Sequence, residues 1–109
     1  HRNTPMAFAQ DPMALALAQE AVAKGVLNEF DPTERAFLLL PYMHSESKVI
    51  HVQAEHLYRE WAPENNYNFE LRHKAIIDRF GRYPHRNSIL GRDSTDEELE
   101  FLTQPGSSF

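Results

Sequence analysis

Two segments of this chain repeat one spacing. Ile50, Ala54, Leu57, Tyr58 and Trp61 fall at i, i+4, i+7, i+8 and i+11, and so do Phe69, His73, Ile76, Ile77 and Phe80. That interval returns a side chain to the same face of a 3.6-residue helix, so each segment reads as an amphipathic α-helix with one apolar stripe. Two such helices in succession, joined through Pro63 and Asn65-Asn66, can bury their stripes only against other helices. Lys48, His51, Glu55 and Arg59 fall on a polar stripe of the first segment at spacings of three and four.

The remaining elements follow from their ends. "DPMALALAQEAVAKG" predicts a helix with Asp11 as cap, Pro12 in the first turn and Gly25 at the left-handed C-terminal position. Its five alanines, Ala14 to Ala23, let a neighbouring helix come close. "DPTERAFLLLPYMHSES" starts the same way, with Asp31 as cap and Glu34 at the third position. Pro41 must end or kink this helix near Leu40, leaving "YMH" as a last turn. Phe37, Leu38, Leu40 and Met43 are its expected core residues. Ser45 or Ser47 caps the next helix, and Gly81 closes the fourth. Ser94 with Glu97, or Thr95 with Glu98, makes a capping box for a short fifth helix. The tail "TQPGSSF" has no periodicity and ends in an aromatic that either docks or frays.

No strand pattern rises above the helical one. The expected fold is all-α, an antiparallel helix-turn-helix array of about five helices. It fits a tetratricopeptide-like arrangement, although no strict 34-residue period is visible. With 109 residues the chain is one helical domain or a piece of a longer one. "HRNTPMAFAQ" has neither an initiator Met nor a signal-type apolar segment. "HRN" recurs at 85–87, an echo suggesting two loops of one kind.

Composition excludes several functions. Net charge is −5, so nucleic acid is not the expected partner. The chain has no Cys, which removes disulfides and thiol catalysis and is compatible with a reducing compartment. No apolar run approaches the roughly 18 residues of a membrane span. Six histidines raise the question of metal, but there is no HExxH, and His51 and His56 diverge on a helix. No metal and no cofactor are expected. Nor does any GxSxG, Walker or dinucleotide pattern occur.

What stands out is "RFGRYPHRNSILGRDST", residues 79–95. Four of the eight arginines lie there: Arg79, Arg82, Arg86 and Arg92. Guanidinium forks suit carboxylate or phosphate, and His85 and Asn87 add hydrogen-bonding capacity. One reading is a site for a small anionic ligand or an acidic peptide. The other is a long loop whose side chains satisfy backbone groups at helix ends. His73 sits on an apolar face, either as a bonded core histidine or as an acid–base group facing the basic stretch. His44 and Glu46 follow the proline kink and either end a helix or face the same cavity.

Three segments, "AFAQDPMALALAQEA", "ERAFLLLPYMHSES" and "RHKAIIDRFGRYPHRNSILGRDSTDEELEFLTQPGSSF", resemble the bacterial family catalogued as domain of unknown function 924. The positions that match its motifs are His44, Ser45, Glu46, His73, Arg79, Gly81, Arg82, Pro84, His85, Arg86, Asn87, Gly91, Arg92, Ser94 and Thr95. The third helix departs, being more apolar than the family's acidic, Gln-containing tract. The resemblance implies a tetratricopeptide-like fold in a cytoplasmic bacterial protein. Members are longer at the N-terminus, so it also implies that this chain is the C-terminal part. It brings no catalytic assignment. The functional expectation is a binding scaffold or an anion- or ligand-binding protein using residues 79–92. The alternatives are an enzyme on a small anionic substrate, with His acid–base groups and an Arg clamp, and a purely structural loop. Nothing in the sequence sets an oligomeric state.

Overall fold

The computed structural model describes residues 4–109, and the "HRN" of residues 1–3 lies outside them. Among the described residues every regular element is helical. A 3₁₀ turn at Pro5–Phe8 leads into α1 (Asp11–Ala23), and a second at Val26–Glu29 leads into α2 (Pro32–Leu38). Then come α3 (Leu40–Met43), α4 (Lys48–Trp61), α5 (Glu64–Phe80), a 3₁₀ turn at Pro84–Arg86 and α6 (Asp96–Phe101). None of these helices is long and apolar enough to cross a membrane.

Most ends form for the expected reasons. Asp31 and Glu34 close a capping box on α2, Thr95 and Glu98 close one on α6, and the Ser47 hydroxyl accepts the Ile50 amide on α4. Gly81 ends α5 at φ +74, a conformation costly for any residue with a Cβ. Two ends differ. Gln10 takes the cap position of α1 without a side-chain bond, and Asp11 is already its first helical residue, where its charge still favours the helix dipole. Helix α5 begins at Glu64 and runs through Asn65-Asn66, so Pro63 alone makes the break. Asn is tolerated in a first turn, where backbone amides have no intrahelical acceptor.

The kink at Pro41 separates α2 from α3 at Leu39 and resets which side faces inward. Ala36, Leu39, Tyr42 and Met43 are buried. Phe37, expected in the core, is 75% exposed, because it points away from the side that turns inward across the break. Helices α4 and α5, separated only by Ala62 and Pro63, pack against each other: Glu70 meets His51, and Lys74 approaches Glu55. The main core joins Ala18 of α1 and Leu27 to Ala36, Leu39, Tyr42 and Met43, then to Ala54 and Tyr58 of α4. The Tyr58 hydroxyl donates to the Ala36 carbonyl at 3.1 Å, fixing α4 against α2. A second, smaller cluster of Ile76, Ile77 and Tyr83 lies where α5 runs into the arginine-rich stretch.

Candidate functional site

The arginine-rich stretch is held by carboxylates. Arg82 grips Glu98 with two bonds, at 2.9 and 2.7 Å, and also donates to the Asp93 carbonyl at 2.8 Å. The same grip holds the Glu98 carboxyl down at about 2. Arg79 pairs with Glu97 at 2.9 Å on the surface and lies over the Phe80 ring. Arg92 forms a bidentate pair with Glu46, both bonds at 3.0 Å, and donates to Asn87 at 3.0 Å. Asn87 in turn donates to the Ser94 hydroxyl. Three of the four guanidiniums therefore have a carboxylate partner within the chain.

Glu46 is the centre of this clasp. Besides Arg92 it accepts the Tyr83 amide at 2.7 Å, tying the chain after α5 to the chain after α3. Burial raises its pKa, but the bonds from Arg92 and the Tyr83 amide and the nearby Arg92 and Arg86 charges outweigh that, so its pKa is lowered. Tyr83 itself is fully buried and donates its hydroxyl to the Met43 carbonyl.

The fourth guanidinium is different. Arg86 is only 7% exposed. Its nearest carboxylate oxygen, on Glu46, is 3.9 Å away. Its Nε is buried with no hydrogen-bond partner among the described residues. Its charge is stacked instead on the rings of Phe8, at 4.5 Å, and Tyr83, at 4.9 Å. Burial lowers its pKa, yet an arginine starts so high that it stays cationic near neutral pH.

Arg86 lines a cleft of 290 Å³ together with Phe8, Asp11, Pro41, His44 and Glu46. The start of α1, the end of α3 and the turn at Pro84–Arg86 thus converge on one space. Inside it the His44 imidazole is pushed down in pKa by desolvation and then by Arg86, with Asp11 opposing. A wider groove of 570 Å³ along α4 contains none of the candidate residues. Among the described residues no three His, Asp or Glu side chains come together in a metal-binding group.

His73 and His85 lie on other sides of Tyr83. His73 meets its ring edge-on at 5.8 Å, and His85 lies 6.0 Å from it. His73 Nδ1 donates to the Phe69 carbonyl at 2.7 Å, and burial pushes its pKa down to about 4. An unfolded His73 takes up its proton near pH 6.5. Between these values the unfolded chain binds more protons, so stability rises with pH. Acidification from neutral pH to about pH 4 is expected to remove on the order of 3 kcal/mol through this residue alone. Denaturant titrations across that range check it. A His73→Asn variant that loses stability just as steeply would clear His73 of the effect.

The structure also contains a site that sequence reading missed. His51, expected on a polar stripe, is fully buried and lies 2.8 Å from Glu70, also fully buried. His51 Nε2 donates to the Ser45 carbonyl at 2.6 Å and lies 2.9 Å from the Tyr83 hydroxyl. Burial raises the Glu70 pKa, and the bond from His51 opposes that rise without cancelling it. The signal was present: His51 stands at i−3 and i−7 from the buried Ala54 and Tyr58, and Glu70 at the same offsets from His73 and Ile77.

Comparisons place the chain. It aligns with the solved structure of a protein of unknown function from Agrobacterium tumefaciens at 35% identity and a TM-score of 0.87. The alignment covers 93% of this chain and 57% of that one, so the chain spans little more than half the relative's length. A search of curated proteins finds no match. The family described as bacterial protein of unknown function, DUF924, matches residues 1–106, and the chain belongs to that family.

Proposed function

We propose that this chain is a ligand-binding helical scaffold whose cleft at Arg86 takes a small anionic group. The observation that carries this is the pairing state of the arginines: Arg79, Arg82 and Arg92 are engaged by carboxylates at 3.0 Å or less, whereas buried Arg86 keeps an unbonded Nε beside an open cleft. A buried cation whose nearest carboxylate, Glu46, stands at 3.9 Å and is already taken up by Arg92 gains from a further anion. At 290 Å³ the cleft suits a phosphate- or carboxylate-bearing small molecule better than a peptide, since ligand pockets begin at about 300 Å³. The proposal includes a tetratricopeptide-like stacking of the helix pairs, supported by the tight turn at Ala62-Pro63 that packs α5 back on α4. It also includes a cytoplasmic setting, with which the absence of Cys is compatible.

Calorimetric titration with inorganic phosphate and with succinate tests this. Arg86→Ala is expected to weaken binding at least about tenfold, the scale of one lost charged hydrogen bond, while Arg79→Ala leaves it unchanged. Absence of binding by the wild-type chain, together with a stability loss in Arg86→Ala, would assign the stretch a purely structural role. One observation favours an enzyme as second reading: His44 lines the same cleft with a lowered pKa, so it is a neutral acid–base group beside an anion clamp.

A further inference from the structure

The tail folds back on the molecule. Gly106 has φ +80, a left-handed turn, and Ser107 is buried with its hydroxyl donating to the Leu102 carbonyl at 3.1 Å. This returns the Phe109 ring to Tyr83 and the two imidazoles beside it. Its centroid lies 4.0 Å from the His73 ring, 4.4 Å from His85 and 5.0 Å from Tyr83, the last two edge-on. Three aromatic walls, from α5 and from the turn that follows it, thus hold one ring.

The occupant fits the shape of this slot but not its chemistry. His85 Nδ1 is buried and has no hydrogen-bond partner among the described residues. A phenyl group offers neither donor nor acceptor, so it leaves that nitrogen unsatisfied. Phe109 also remains 52% exposed, so its hold is partial. The other two walls bond elsewhere: His73 Nδ1 to the Phe69 carbonyl, and the Tyr83 hydroxyl to the Met43 carbonyl. Of the buried side-chain atoms of the three walls, His85 Nδ1 is the one without a partner among the described residues.

We infer that His73, Tyr83 and His85 form a recognition slot for an aromatic ring bearing an O–H or N–H group, and that Phe109 occupies it as an internal competitor. Arg86, which lines the anion cleft, lies over the Tyr83 ring of the slot, and the slot stands whether or not that cleft binds anions. Its natural occupant would sit against the two imidazoles as the Phe109 ring does and bond His85 Nδ1, as phenols and indoles can.

Phenol is the probe. Emptying the slot with Phe109→Ala is expected to tighten phenol binding by about tenfold, because the competing bound state disappears. Nitrogen-15 spectra of the imidazoles should show the His85 ring signals moving on phenol addition. The double variant Phe109→Ala/His85→Phe should lose the gain. Equal phenol affinity in Phe109→Ala and wild type would overturn the inference, leaving the slot a packing place for the tail. A gain that survives in the double variant, or that leaves the His85 signals unmoved, would overturn it as well. Phe109 is half exposed and outside both core clusters, so its truncation leaves the fold in place for the measurement.

Discussion

Glu70→Ala is expected to destabilise the chain by about 3–5 kcal/mol, the scale set by removing one partner of a fully buried pair. Glu70 and His51 are both 0% exposed, so no water can replace the missing carboxyl. His51 Nδ1 would be left bare inside the α4–α5 hairpin, and the ring's bonds to Ser45 and Tyr83 would lose their orienting partner. Glu70→Gln is expected to cost much less, about 1 kcal/mol, because the amide can donate to the same nitrogen once His51 is neutral. Urea unfolding of the two variants beside the wild type makes the comparison. A Glu70→Ala midpoint close to that of the wild type would show that the pair contributes little to the fold.

The second large effect is expected at Glu46. Its carboxylate accepts two bonds from Arg92 and one from the Tyr83 amide, and it is the nearest negative charge to the buried Arg86. Glu46→Ala therefore leaves the Arg92 guanidinium and a backbone amide without their acceptor and takes the nearest carboxylate from Arg86, and about 3 kcal/mol is the expected cost. Because the same change removes the like-signed repulsion that an anion would feel in the cleft, phosphate binding is expected to hold or strengthen per folded molecule. A double-mutant cycle with Arg92→Ala isolates the pair. A coupling energy near zero would show that the clasp is ornamental to stability.

Much of this architecture could be read in the sequence, because helices announce themselves through apolar spacing and through their end residues. Asp31 with Glu34, Ser47, Gly25, Gly81 and Thr95 with Glu98 all act locally, within four residues of their partners, and local chemistry is what a one-dimensional reading resolves. Pro41 signalled the break but not its consequence. Once the helix is interrupted at Leu39 the inward side shifts, so Leu39 is sealed and Phe37 is turned to solvent. The buried His51–Glu70 pair was hidden for a different reason. A polar residue at a core position looks like a surface residue until its partner, nineteen residues away, is placed beside it.

The same distinction divides the candidate residues. His44, Glu46 and Arg86 meet in one cleft, and His73 and His85 meet around Tyr83. Arg79 and Arg82 are turned toward the acidic first turn of α6, and Arg92 toward Glu46. Arginine type alone marked all four as anion ligands. Which of them already had an anion depended on Glu46, Glu97 and Glu98, and only three-dimensional placement could assign those.

The Glu46 clasp also bears on the order of assembly. It joins residues separated by 37 positions at Tyr83 and 46 at Arg92, whereas the α4–α5 hairpin needs only neighbouring segments. Contacts between distant positions form only after the intervening chain has lost most of its freedom. The hairpin can therefore nucleate early, and the walls of the cleft come together last, so a nascent or partly folded molecule has no pocket to fill.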